Sequence, residues 1–250
     1  MEMQFFIKPG TEMRWFKYWK TMRRKWHEAL GFGTDNYRFH DHEKLAHYAN
    51  AATDIEFNFP MGFREVEGIH SRTNFDLGQH QKYSGKKIQY FDPEMNESYV
   101  PYVIETSIGL DRMFLSILSA SYCEEEIKGD DGKVDSRVVL RIPPALAPVK
   151  VAVLPLVKKD GLPEVAEKLM KDLMYRFDCR YEEKDTIGKR YRRQDAIGTP
   201  YCVTVDYDTL KDNTVTLRFR DTMEQERVPV SELNAIIEDK VSIASLLKKL

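Results

Sequence analysis

Two kinds of strand are written into this chain, and together they exclude one uniform sheet. Residues 53–60 (TDIEFNFP) alternate, with Ile55, Phe57 and Phe59 on one face and Asp54, Glu56 and Asn58 on the other. Residues 63–72 (FREVEGIHSR) also alternate, setting Phe63, Glu65, Glu67 and Ile69 against Arg64, Val66 and Gly68. Such strands are half-buried, with two different faces. Residues 149–157 (VKVAVLPLV) instead run apolar almost throughout, as a strand buried on both faces of a parallel sheet does. The change follows VVLRIPPALAP (138–148), a proline-rich stretch that reads as a linker. An α+β unit over 1–142, a linker at 143–148 and an α/β unit with a mixed sheet over 149–250 are expected.

With 250 residues, the chain is long enough for two real cores. Its net charge of -2 gives no blanket polycation, so any nucleic acid would be held by local patches. No run approaches the roughly 18 apolar residues of a membrane span. Three scattered cysteines, Cys123, Cys179 and Cys202, form neither a disulfide framework nor a CxxC metal site, which predicts a reduced, cytoplasmic chain.

The remaining elements follow from periodicity and punctuation. MEMQFFIKPG alternates from its first residue, with Glu2, Gln4 and Phe6 on one face, and stops at Pro9-Gly10. Thr11 is placed to cap a helix reaching about Leu30, with Trp15, Tyr18, Trp19, Met22 and Trp26 as a packing face and Gly31 as the stop. In YRFHDHEKLAHYAN, Asp41 reads as the cap of a short helix to about Asn50. His40, His42 and His47 lack the further partners of a closed metal site. A polar, partly helical excursion follows at 74–87, then strand with a turn at Pro93 and Asn96. An amphipathic helix over 110–122 carries the stripe Leu110, Met113, Phe114, Ile117, Leu118 and Tyr122. EEEIKGDDGKVDSR (124–137) reads as a charged loop. In the second unit a helix is expected over 162–176 with Pro163 in its first turn, and further strands at 179–184, 200–206, 214–221 and 224–230. A short basic helix lies near 187–198, and Ser231 opens a final helix.

The junction at Gly109 concentrates the chemistry. In YVIETSIGLDRMF (102–114), period two puts Val103, Glu105, Ser107 and Gly109 on one face, and Ile104, Thr106 and Ile108 on the other. Gly109 leaves the backbone open for close approach. Arg112 stands in the first turn of the next helix, whose N-terminus is already positive, so an anion held by both is favoured. A carboxylate and a hydroxyl beside such an arginine suit a small zwitterion next to a polyphosphate. Asp111 beside Arg112 also allows a plain solvated charge pair.

This stretch resembles motif 3 of the class II aminoacyl-tRNA synthetases, in the form with Ser107 found in glycyl-tRNA synthetases of the homodimeric type. MEMQFF resembles the second strand of their motif 2. REVEGIHSRTNFDLGQH (64–80) resembles their next core strand, and 149–250 their anticodon-binding domain. The resemblance implies a partial antiparallel catalytic core followed by an anticodon-binding domain. It implies ATP-dependent activation of glycine and transfer to tRNA(Gly). It assigns glycine contacts to Glu2, Glu105, Thr106, Ser107, Ile108 and Gly109. ATP contacts fall to Glu65, Val66, Gly109, Leu110, Asp111 and Arg112, with Arg112 as the catalytic phosphate-gripping residue. Magnesium would arrive with ATP, and Glu65 is the protein group available to it. GKRYRRQDAIGTPY (188–201) is the local basic patch for tRNA, through Lys189, Arg190, Arg192 and Arg193, with Tyr191 and Tyr201 for stacking on bases; the other reading is a plain solvated loop face.

The family also implies a preceding region with motif 1, the dimer interface and the first strand and loop of motif 2. The 250 residues are therefore expected to be a C-terminal piece that makes no adenylate by itself. The other reading weighed is a non-catalytic nucleic-acid-binding relative, which would have no use for Glu2, Glu105, Ser107 and Arg112.

Overall fold

A computed structural model describes residues 1–128 and 134–248. The chain divides into two compact units, the first ending at Ser119 and the second beginning at Ala120.

The first unit is built on a five-stranded antiparallel sheet. In chain order the elements are β1 (Glu2–Ile7), α1 (Glu12–Ala29), β2 (Tyr37–Asp41), β3 (Ala51–Phe59), β4 (Gly62–Thr73), α2 (Phe75–Ser84), β5 (Tyr90–Asp92), β6 (Glu97–Tyr99), β7 (Tyr102–Ile108) and α3 (Leu110–Ser121). The large sheet runs β1-β7-β4-β3-β2, and β5 and β6 form a separate hairpin across the turn at 93–96. Helix α1 packs on β3, β4 and β7. Its tryptophans meet Phe5 of β1, with ring centroids 4.9 Å apart for Trp15 and 5.4 Å for Trp19. That face is apolar because period two sends Phe5, Ile104 and Ile69 the same way. The opposite face carries Glu2, Gln4, Glu105, Ser107, Gly68, His70 and Asp54.

Three local expectations fail here. Residues 37–41 are a strand, not the lead-in to a helix, because Tyr37 to Asp41 pair with Phe57 to Thr53. Residues 42–50 are then an irregular connection between paired strands. Thr11 does not cap α1 with its side chain; its hydroxyl donates to Lys8 O instead. The stripe expected on α3 is split. Met113 and Ser116 face inward, while Leu110 and Phe114 are each 67% exposed.

In the second unit, β8 (Tyr122–Lys128) and β9 (Val134–Leu140) pair antiparallel. The charged loop expected over 124–137 is therefore a hairpin in its described parts; residues 129–133 of that expectation lie outside the described residues. The boundary between units also differs from the one expected at 142. The reason is Arg137 of β9, which is buried on residues of the second unit, as described below.

The elements that follow are β10 (Val151–Pro155), α4 (Leu162–Leu173), β11 (Cys179–Tyr181), α5 (Ile187–Ala196), β12 (Tyr201–Val205), α6 (Thr209–Asp212), β13 (Thr214–Phe219), β14 (Gln225–Pro229), α7 (Val230–Val241) and α8 (Ile243–Leu247). The sheet order is β11-β10-β12-β13-β14. β10 lies parallel to β11 and β12, whereas β13 and β14 are antiparallel, so the sheet is mixed as expected. Val151, Val153, Val203, Val205 and Leu217 pack with Leu162, Leu169, Leu233 and Ile237 of α4 and α7. Ala152, Leu154 and Cys202 on the other face meet Ile187 and Tyr191 of α5. Two covered faces explain why β10 reads as unbroken apolar sequence. Ser231 falls inside the first turn of α7, with Pro229 at the cap position, and Ser242 caps α8 through the Ser245 amide.

Among the described residues no helix is long and apolar enough to cross a membrane. The three cysteines are free, and burial pushes the Cys202 thiol up to about 12.

Candidate active site

The uncovered face of the first sheet is organised around Glu105 in the middle of β7. Antiparallel register sets Glu105 opposite Gln4 of β1 and His70 of β4, and sets Ser107 opposite Glu2 and Gly68. Directly paired residues share a face. Five chemistry-bearing side chains and one glycine therefore converge without any loop. The Gln4 amide donates to Glu105 Oε2 at 2.6 Å and also to the Glu2 carboxylate. One amide nitrogen thus bridges two carboxylates, which is the place and polarity an ammonium group would take.

The other oxygen of Glu105 accepts from Arg72 Nη1 at 3.1 Å. Arg72 Nε donates to Asp76 at 2.8 Å, and that bond, reinforced by Glu105, holds the guanidinium above its ordinary range. His70 Nδ1 stands 3.7 Å from Glu105 Oε1. Burial pushes the His70 imidazole below its usual value, against the pull of Glu105 and Asp54. His42 reaches Asp54 at 2.9 Å. No group of three or more His, Cys, Asp or Glu among the described residues is arranged to hold a metal ion.

Space beside Ser107 is tight. A Cβ on Gly68 would come within 2.8 Å of His70 Cε1 and 3.6 Å of Asp54 Oδ1. Gly109 is different, since a Cβ there would meet only the Arg112 side chain at 3.7 Å, an ordinary contact. Of the two glycines, Gly68 is the one at which a side chain would be crowded.

Arg112 lies at the start of α3 and donates to Glu65 twice, to its backbone oxygen at 2.9 Å and its carboxylate at 3.0 Å. Both side chains are about half exposed, so the pair is labile and an incoming anion can replace Glu65. Glu65 can face Arg112 because β4 is bulged. Ile55 pairs with Glu67 and Glu56 with Glu65, leaving Val66 unpaired. Glu67 consequently points to the α1 face, fully buried, with Arg23 Nε at 2.6 Å and His27 Nε2 at 2.7 Å.

The structure sorts the residues expected from sequence. Glu2, Glu105 and Ser107 share one face, and Glu65 meets Arg112. Thr106 and Ile108 turn their side chains away, onto the α1 face, because strand period two forbids otherwise. Val66 is buried, and Leu110 and Asp111 are exposed at the mouth of α3. Sequence reasoning passed over Gln4 as a functional residue, although the alternation of MEMQFF places it beside Glu2. It also missed His70 and Arg72. Arg72 is the unpaired residue of a second bulge, since Ser71 pairs with Ile104 and Thr73 with Val103, and no periodicity signals a bulge.

The basic segment of the second unit is mostly committed internally. Arg190 is 2% exposed and donates to the carbonyls of Pro155 at 2.5 Å, Leu156 at 3.0 Å and Glu182 at 3.3 Å. Arg193 is bound to Glu182 and Asp185, and Arg192 to Asp135 at 2.8 Å. Tyr191 shares a hydrogen bond with Thr204 and lies under Arg218, and Tyr201 is buried. Lys189 alone of the expected tRNA residues is exposed.

A buried ion cluster ties the hairpin into this unit. Asp195 of α5 takes two bonds from Arg218 of β13, at 2.8 and 3.0 Å, and one from Arg137 of β9 at 3.2 Å. Arg137 also pairs with Glu125 at 2.7 Å and donates to Arg220 O at 3.1 Å.

Comparison with known proteins bears on both units of the chain. Residues 150–240 match the anticodon binding domain family. The fold is shared with the RNA binding domain of threonyl-tRNA synthetase from Cryptosporidium parvum Iowa II, at TM-score 0.68 and 18% identity, over 96% of this chain and 63% of that one. Sequence places the second unit among anticodon binding domains. Among curated proteins, the chain is 54% identical over 244 residues to the glycine–tRNA ligase of Treponema denticola, covering 96% of this chain and 54% of that protein. Its match to the glycine–tRNA ligase of Chlorobaculum tepidum is 51% over 242 residues, covering 96% and 50%. The chain belongs with the glycyl-tRNA synthetases and spans about half the length of the curated relatives it matches.

Proposed function

We propose that this chain contributes the amino-acid pocket and the tRNA-binding domain of a glycine–tRNA ligase. The observation that carries this is the pair Glu2 and Glu105, bridged by one amide nitrogen on the uncovered sheet face beside Ser107 and Gly68. Two carboxylates in that position take the α-ammonium of glycine. A site too small for a methyl group beside the ammonium would reject alanine sterically, without a separate editing step.

The reaction proposed has two steps. The glycine carboxylate attacks the α-phosphorus of ATP, forming a mixed anhydride and expelling pyrophosphate. A terminal ribose hydroxyl of tRNA(Gly) then takes the glycyl group and releases AMP. No covalent enzyme nucleophile is needed, so positioning and charge neutralisation supply the acceleration. Arg112, freed from Glu65, holds phosphate oxygens at the positive end of α3. Glu65, so released, would be the protein group available to the magnesium that accompanies ATP. In the second unit Lys189 and the half-exposed Arg192 and Arg193 meet tRNA, exchanging surface ion pairs for phosphate. The whole ligase acts as a homodimer in the cytoplasm.

A non-hydrolysable glycyl-adenylate analogue, titrated into the chain by calorimetry, tests the pocket. The wild type binds it, and Glu105→Gln weakens binding at least tenfold. Equal affinity in the two proteins overturns the assignment.

A further inference from the structure

Arg72 is the bulged residue of β4, so the ladder that fixes its neighbours does not fix it. Yet its guanidinium must be well placed, since it holds one oxygen of Glu105. The connection 42–50 supplies what the ladder does not. Asn50 N donates to Ser71 O at 3.0 Å, before the bulge, and Thr73 Oγ1 donates to Tyr48 O at 3.3 Å, after it. The irregular segment is thereby fastened on both sides of Arg72. Thr73 adopts φ +57, a left-handed conformation that a β-branched residue takes only under constraint. Between the two fastenings the half-buried Tyr48 ring lies against the Arg72 guanidinium, 4.3 Å from ring centroid to guanidinium carbon. Asp76 and Glu105 fix two edges of the planar group, and the ring fixes a face.

We propose that Tyr48 is a positioning residue for the amino-acid pocket: its ring holds the Arg72 guanidinium in the orientation that aims Glu105 at the substrate ammonium. The inference rests on the reading of Glu2 and Glu105 as the ammonium site. The contact is made by the ring face, so phenylalanine can replace tyrosine and an aliphatic side chain cannot.

Two ligands separate positioning from mere structure. One is glycyl-sulfamoyl-adenosine; the other is its acetyl counterpart, in which hydrogen replaces the ammonium. Both are titrated into the wild-type chain, Tyr48→Phe and Tyr48→Leu. The wild type prefers the glycyl ligand. Tyr48→Leu reduces that preference several-fold to about tenfold, the range a guanidinium–ring contact supplies, while binding of the acetyl ligand is unchanged. Tyr48→Phe keeps the preference within about twofold of the wild type. An undiminished preference in Tyr48→Leu overturns the role of Tyr48 alone. Equal loss of both ligands makes Tyr48 structural only, and loss in Tyr48→Phe moves the effect to the hydroxyl; either result overturns the proposal. No preference in the wild type overturns the ammonium site together with it.

Discussion

Glu65 and Glu67, two positions apart on one strand, point to opposite faces of the sheet because Val66 between them is bulged out of the ladder. Glu65 meets Arg112 at the uncovered face, and Glu67 is sealed under α1 with Arg23 and His27. Burial pushes the Glu67 carboxyl up, but the bonds from His27 and Arg23 outweigh it and hold the carboxyl below its ordinary value. A depressed folded-state pKa contributes stability that is complete above the unfolded value near 4.5 and is lost as pH falls through the folded value. Glu67→Ala is expected to cost about 3–5 kcal/mol at neutral pH, because it leaves the largely buried Arg23 and the buried His27 without their partner. Urea titration from pH 7 to pH 3 checks both points: the substitution lowers stability at pH 7 and flattens the acid limb below pH 4.5.

Gly68→Ala is expected to cost about 1–3 kcal/mol by overpacking against His70. The clash is with the end of one side chain, so His70→Ala should relieve it. A double-mutant cycle on denaturation midpoints should give a coupling of at least about 0.5 kcal/mol. Strictly additive effects would mean that the collision is with something other than the imidazole.

Asp195 neutralises two buried arginines, Arg137 and Arg218. Asp195→Asn should cost about 3–5 kcal/mol. It should also loosen β9, which reaches the unit through Arg137. Amide hydrogen exchange over residues 134–140 should accelerate more in this variant than exchange in β10.

Arg190 and Lys189 are adjacent in sequence and opposite in role. Arg190→Ala is expected to lower stability by about 1–3 kcal/mol for each buried carbonyl left unpaired. Lys189→Ala should leave the midpoint unchanged, weaken tRNA binding, and reduce the slope of log affinity against log salt by about one. Filter binding across a salt series distinguishes them.

The contrast between these neighbours shows how far a linear reading goes. The strands of the second sheet, those of the first except β2, the helices α1, α3 and α4 and the mixed character of the second sheet were legible, because each rests on local period and punctuation. The convergence of Glu105 with Ser107 was legible for the same reason. The committed state of Arg190 was not, since a lysine or arginine in a helix reads as exposed until the carbonyl ends of two strands are placed beside it. The strand pair β8–β9 was read as loop because its acidic Glu125 finds its partner, Arg137, only on the facing strand.

By itself the sequence determined most of the strands and helices, though not β2 or the β8–β9 pair, which residues of β7 share a face, and the family they resemble. Tertiary structure alone decided that Gln4 bridges Glu2 to Glu105, that Arg72 and Tyr48 stand behind Glu105, and that Glu65 and Glu67 part company. The physical reason is that periodicity is a property of one strand, whereas register and bulges are properties of a pair. A single unpaired residue reverses every facing beyond it, and only the partner strand reveals where that happens.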